Sequence, residues 1–155
     1  MSVSRRAAVT EDEPFIELLL KATLADELMA HSWPEQIRDG LLTMQYRGRR
    51  QSATSHYPDA RIDIIVIDGE EAGWLVLART DEAIQLMDIA LLPERRGTGA
   101  GTAILETVIQ ESKETGLPIR LRVMVTNRAG RLYQRLGFCR IGGDEVNHEM
   151  ERLPH

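Results

Sequence analysis

Leu86-Met-Asp-Ile-Ala-Leu-Leu-Pro-Glu-Arg-Arg-Gly-Thr-Gly-Ala-Gly-Thr102 is an apolar strand that breaks at Pro93 into an arginine- and glycine-rich turn and then enters a helix. The glycines at 97, 99 and 101 carry no Cβ, so the backbone bends freely there and a ligand can come close to its N–H groups. Those groups belong to the first turn of the following helix, where they lack intrahelical partners and stand at the positive end of the helix dipole. An anion is the natural partner of such a turn. Arg95 and Arg96 add planar guanidinium forks that suit phosphate oxygens.

Spacing narrows the choice of ligand. Gly101 is followed by Thr102 and Ala103 rather than by Lys-Ser or Lys-Thr, which argues against a Walker-type loop. Thr102 also stands where a dinucleotide fingerprint needs its third glycine, and no acidic residue follows a second strand at the usual distance. The pattern actually present is Arg96-x-x-Gly99-x-Gly101.

The chain has 155 residues, one domain's worth, and its composition is ordinary for a folded soluble protein. A net charge of -5 argues against a nucleic-acid face, because binding a phosphate backbone requires clustered positive charge. The densest cationic run, Arg47-Gly-Arg-Arg50, reads as a solvated helix face. No apolar run has the length of a membrane span, and the N-terminus runs into polar sequence rather than a signal-peptide core, so a cytoplasmic protein is expected. A lone cysteine, Cys139, fits a reducing compartment and reads as a small strand residue. The histidines at 31, 56, 148 and 155 show no metal-ligand spacing, so no metal is expected.

Taken in order, Val3 to Val9 reads as an edge strand, and Thr10 with Glu13 forms a capping box ahead of a helix whose core face is Phe15, Leu18, Leu19 and Ala22. A second helix is expected from about Pro34, with Ile37, Leu41, Met44 and Tyr46 as its apolar side, followed by a loop or frayed end from Gln51 to Asp59. A three-strand meander comes next. It consists of Arg61–Ile67, an Asp68-Gly69 hairpin turn, Gly73–Ala78, and Ala83–Leu92 ending in the phosphate turn. Ala100, Ile104 and Val108, beside Leu105 and Ile109, make two apolar rows on the next helix. Ile119–Val125 alternates as a half-buried strand, Asn127 opens a helix through Arg135 that Gly137 ends, and two short strands close the chain. Residues 1–155 read as one domain, a mixed α/β unit.

Asn127-Arg-Ala-Gly-Arg-Leu-Tyr-Gln-Arg-Leu-Gly-Phe138 follows the phosphate turn in the order in which the GNAT acetyltransferases carry their two signatures, Gln/Arg-x-x-Gly-x-Gly/Ala and Asn-x-x-Ala-x-x-Leu-Tyr-x-x-x-Gly-Phe. The chain resembles that superfamily over its C-terminal half. The resemblance implies a GNAT-like fold, a central, mostly antiparallel, splayed sheet of roughly six to seven strands with about four helices. It also implies acetyl-CoA as the acetyl donor, seated in the opening between the strand before the phosphate turn and the next strand. Residues Arg95, Arg96, Gly97, Thr98, Gly99, Ala100, Gly101 and Thr102 would hold the pyrophosphate, and the backbone of Ile89, Ala90, Leu91 and Leu92 would pair with the pantetheine amides as a peptide adds to a sheet edge. Asn127, Ala129, Leu132 and Tyr133 would line the coenzyme from the following helix.

Acetyl transfer to an amine needs an unprotonated nucleophile near the thioester carbonyl, support for the developing oxyanion, and a proton for the departing thiolate. Tyr133 stands where many family members keep that general acid, against its plainer reading as a tyrosine packed beside Leu132 and Leu136. Asn127 is a helix cap, a coenzyme contact, or both. Asp88, the carboxylate inside an apolar strand, is either a base for the amine or a charge satisfied by a neighbouring arginine. By the resemblance the acceptor site draws on the first two helices and the central strands, which points to Glu27, Trp33, Tyr46, His56 and Trp74 as substrate-binding candidates. The leading expectation is an N-acetyltransferase acting on a primary amine of a small molecule or peptide, with homodimerisation open. A coenzyme A-binding sensor without turnover, and an acetyltransferase toxin acting on aminoacyl-tRNA, are the alternatives.

Overall fold

The computed structural model describes residues 1–155. Its strands are β1 (Val3–Ala7), β2 (Arg61–Ile67), β3 (Glu70–Arg79), β4 (Ile84–Leu91), β5 (Ile119–Met124), β6 (Cys139–Gly143) and β7 (Asn147–Arg152). Helices α1 (Glu13–Glu27) and α2 (Glu35–Ser55) follow β1, α3 (Ala100–Thr115) joins β4 to β5, and α4 (Ala129–Arg135) joins β5 to β6. The strands form one sheet in the order β1-β2-β3-β4-β5-β7-β6. Every neighbouring pair is antiparallel except β4 with β5. That one parallel pairing extends only from Ile84 opposite Ile119 to Leu86 opposite Leu121, and beyond it the two strands part. The expected mixed, mostly antiparallel sheet, splayed at its centre and flanked by four α-helices, is what the chain forms.

Two apolar layers follow from alternation along the strands. On one face Leu75, Leu77, Ile84, Leu86, Leu121 and Val123 pack against Ala100, Ile104, Leu105 and Val108 of α3 and Tyr133 of α4. On the other, Ile64, Trp74 and Val76 pack against Ile16, Leu19 and Leu20 of α1 and Ala53 of α2. β3 is therefore covered on both faces and reads as continuous apolar sequence. β5 is covered by α3 and α4 alone, which is why Ile119, Leu121 and Val123 are buried while Arg120 and Arg122 alternate with them.

The N-terminal helices depart from the sequence expectation in four places. Thr10 lies in a one-turn 3₁₀ segment and is not the cap. Asp12 precedes α1 without a side-chain hydrogen bond to it; its carboxylate instead reaches back, accepting the Val9 N–H at 2.8 Å and both ends of the Arg6 guanidinium at 2.8 Å. The buried stripe of α1 is Ile16, Leu19, Leu20, Thr23 and Leu24, while Leu18 is exposed and Phe15 and Ala22 are only half-buried. In α2, Ile37, Leu41 and Met44 face solvent, and the inward side is Leu42, Tyr46, Arg49 and Ala53. The polar residues after Gln51 do not break α2, which continues to Ser55.

Arg6 and the Val9 N–H hold the Asp12 carboxyl down to about 2, below its ordinary 3.8. A group with a depressed folded-state value adds stability that is complete above pH 3.8 and is lost as pH falls through about 2. Asp12→Asn is expected to lower stability at pH 7 by about 1 kcal/mol, the scale of a weakened charge-assisted hydrogen bond. In urea titrations the deficit should shrink toward zero as the pH approaches 2. A deficit independent of pH would show that the carboxylate charge is not what stabilises this corner.

Candidate active site

The phosphate turn leaves β4 at Leu92, makes one 3₁₀ turn at Pro93–Arg95, and enters α3 at Ala100. Gly97 (φ 73) and Gly99 (φ 88) both occupy the left-handed region, and an added Cβ at either would meet open space within 4 Å. The N–H groups of Gly97, Thr98, Gly99, Ala100, Gly101 and Thr102 donate to no acceptor in the chain, and the helix ladder begins with Ala103 donating to the Gly99 carbonyl at 3.0 Å. A run of unpartnered amides at the positive end of a 16-residue helix is an anion cradle.

The turn's two arginines have carboxylate partners. Arg95 donates to Glu70 at 2.8 Å and Arg96 donates to Asp26 at 2.7 Å, while the Arg96 Nε reaches the Leu91 carbonyl at 3.3 Å. His31 shares Asp26 at 2.7 Å, and these contacts hold the Asp26 carboxyl below its usual range, His31 contributing most. The end of α1 is thereby tied to the phosphate turn. No local pattern around Asp26 or His31 singles them out.

The parted strands carry the second part of the site. A bulge between Met87 and Asp88 leaves Met87 without a partner on β3, so Asp88 lies opposite Val76 on the α1/α2 face. Arg49 of α2 meets it there with Nε and Nη2 both donating at 2.9 Å, and its Nη1 stands 3.5 Å from Glu27. Of the two readings of Asp88, the structure displays the satisfied charge: both carboxylate oxygens are committed to one guanidinium. Tyr133 lies across the opening on α4, 4% exposed, its ring tilted against Phe138 with centroids 5.5 Å apart. Its hydroxyl makes no hydrogen bond within the chain. Burial pushes the phenol above its ordinary value of 10, and the Asp88 charge adds to that shift.

The remaining candidates separate. Asn127 caps α4, its Oδ1 accepting the Ala129 N–H at 2.9 Å. Leu132 packs at the edge of the α3 core and approaches Gly101, where an added Cβ would lie 3.9 Å from its Cδ2. Among the acceptor candidates only Glu27 joins the Arg49 and Asp88 cluster. Trp74 is a correction: it is 0% exposed, enclosed by Ile16, Leu19, Leu20 and Ala53, and offers no surface to a solute. Trp33, in the link between α1 and α2, and Tyr46 of α2 are half-buried packing residues, and His56 stands exposed just past the end of α2. Arg49, missed within a run read as a solvated face, had a signal: it follows Leu42 and Tyr46 at spacings of four and three, on the stripe that Ala53 continues. Arg47 of the same run does face solvent.

An anion cradle at the mouth of a sheet that opens between two parallel strands defines an α/β protein of the splayed-sheet class with an anion-binding turn. Residues 25–138 match the model of the acetyltransferase (GNAT) family, and the chain belongs to that family. It is similar in fold to the PaiA N-acetyltransferase of Thermoplasma acidophilum in complex with coenzyme A, with a TM-score of 0.74, 20% identity and 99% of both chains covered. It is also similar to the ribosomal-protein-S18-alanine N-acetyltransferase of Escherichia coli, with a TM-score of 0.67, 20% identity, and 98% of this chain and 94% of that one covered. A chimera of the spermidine N-acetyltransferase SpeG from Vibrio cholerae with hSSAT aligns with a TM-score of 0.68 at 20% identity, covering 99% and 96%. No curated protein sequence matches the chain.

Gly99→Glu places bulk and negative charge in the cradle at a left-handed position. Acetyl-CoA affinity, followed by calorimetry, is expected to fall by about 100-fold or more, since about 2.7 kcal/mol of lost binding suffices for that factor. Unchanged affinity in a folded variant would show that the cradle is not the coenzyme site.

Proposed function

We propose that residues 1–155 act as one acetyl-CoA-dependent N-acetyltransferase that passes the acetyl group directly to a primary amine of a small molecule or peptide. The observation that carries this reading is the run of unpartnered amides from Gly97 to Thr102 beside an opening that Tyr133 and Asp88 flank. Family membership and the coenzyme A complex among the structural neighbours support it further.

In this reading the amides of the turn and the N-terminus of α3 take the pyrophosphate, and phosphate oxygens replace Glu70 and Asp26 as partners of Arg95 and Arg96. The pantetheine arm lies along the backbone of Ile89–Leu92, in the place β5 vacates when it parts from β4. The amine attacks the thioester carbonyl, the tetrahedral intermediate collapses, and the sulfur leaves with a proton from the Tyr133 hydroxyl. A phenol raised by burial keeps its proton at every working pH, so the acid is always loaded. Desolvation raises the basicity of the departing thiolate as the C–S bond breaks, which favours transfer of the proton to sulfur. Asp88, bound at both oxygens by Arg49, acts in positioning, and the amine's proton leaves through water. Glu27 and Asp88 outnumber Arg49 by one charge, which favours a cationic acceptor at this spot. A coenzyme-binding sensor has no use for an unbonded tyrosine hydroxyl beside the opening.

The test is calorimetric titration with acetyl-CoA, then free-thiol release across a panel of amines. Amine-dependent release supports the transferase, and tight binding with no release from any amine favours the sensor. Tyr133→Phe is expected to lower kcat by about 100-fold, the lower end of general-acid effects, with acetyl-CoA affinity within about twofold of wild type. Unchanged kcat and KM would remove Tyr133 from the mechanism.

A further inference from the structure

Beside the parted strands, on the same face of the sheet as Asp88, lies a concavity of about 320 Å³. Its lining includes Tyr57, Met87, Arg120, Arg122, Ile141 and Glu149. It exists because α1 and α2 cover β2 to β4 and stop there, leaving this face of β5 and β7 without a helix over it. The two arginines differ in their partners. Arg120 donates to Glu151 at 2.8 Å and has Glu82 at 3.9 Å. Arg122 has no carboxylate within 4.0 Å and makes no hydrogen bond, although Glu149 is its cross-strand neighbour. The concavity therefore holds a guanidinium whose five donors are all uncommitted within the chain.

Its position gives that group a use. The parallel register ends with Leu86 opposite Leu121, so Met87 and Arg122 are the next residues on each strand, where β4 and β5 begin to part. Strands that still pair lie about 5 Å apart, and Asp88 is one residue beyond Met87. Arg122 thus stands beside the point at which the amine would meet the thioester. We propose that the acceptor is a small amine that also carries a carboxylate, an amino acid or close derivative, with Arg122 receiving the carboxylate while the amine faces Asp88 and Glu27. The planar fork matches a carboxylate bidentately, and Arg122, exposed at the rim of the concavity, is open to an incoming solute. Met87 and Ile141 leave apolar room for a side chain. This inference rests on the transferase reading above and specifies its acceptor.

The experiment compares matched acceptors, each amino acid against the amine formed by removing its carboxylate, by thiol release from acetyl-CoA. Wild type is expected to favour the carboxylate member of a pair by 10-fold or more in kcat/KM. Arg122→Gln should bring that ratio close to one by raising KM for the amino acid, and Arg122→Lys should restore part of it. Arg47→Gln makes the same change of net charge at an exposed site on α2 and should keep the wild-type ratio. Turnover of the decarboxylated amines at equal or higher kcat/KM in wild type would overturn this inference and leave the transferase standing. An unchanged ratio in Arg122→Gln would also overturn it. Absence of both acetyl-CoA binding and thiol release would overturn the two together.

Discussion

Backbone hydrogen bonding between β4 and β5 stops after Leu86 and Leu121, and every functional feature of the chain is arranged around that interruption. A parallel pair needs a crossover, here α3, and the turn that starts this crossover is the glycine-rich anion cradle. The strand edge that β5 no longer covers on β4 is free to pair with an extended amide chain. The β4 bulge at Met87 turns Asp88 toward α2, where Arg49 meets it. Had the two strands stayed paired to their ends, the cradle, the tyrosine and the carboxylate would surround a closed sheet with no room for a substrate.

Most charged groups of the site are paired before any ligand arrives. Asp26 and Glu70 hold the arginines of the phosphate turn, and Asp88 and Glu27 hold Arg49. Burying an isolated guanidinium or carboxylate is expensive, and these pairs remove that penalty in the free protein. In the proposed transferase an incoming pyrophosphate would exchange one set of anionic partners for another, so its binding would depend on the difference between two sets of charge-assisted hydrogen bonds. The backbone amides of the turn have no such competitor in the chain. In the proposed transferase they would contribute binding that requires no protein partner to be released.

The C-terminal half was largely legible in the sequence because local signals and tertiary demands agree there. Ile104, Leu105, Val108 and Ile109 are buried as the helical period requires, and β5 alternates because one of its faces is covered. In the N-terminal half several stripes of similar polarity compete. Leu18, Ile37, Leu41 and Met44 fit a helical apolar face as well as the residues that are actually buried, and periodicity cannot rank them. Rotation of α2 was settled by contacts distant in the chain, Arg49 with Asp88 and Arg50 with Glu13, which turn a cationic stretch inward. Trp74 illustrates the same limit: an aromatic residue in a central strand has one spacing whether it lines a cleft or fills a core, and here α1 covers it.

The sequence by itself determined the anion cradle, the strand before it, the helix after it and the family to which they point. These depend on backbone conformation and on residues close in the chain, which glycine, proline and apolar spacing encode directly. Which charges meet was set by long-range packing. Asp88 with Arg49, Asp26 with Arg96 and His31, and the solitary Arg122 in its concavity are products of how α1 and α2 settle on one part of the sheet and leave the rest open. Ion pairing between residues tens of positions apart leaves no periodic trace in a single sequence, because any acidic residue can satisfy any basic one until packing brings two of them together.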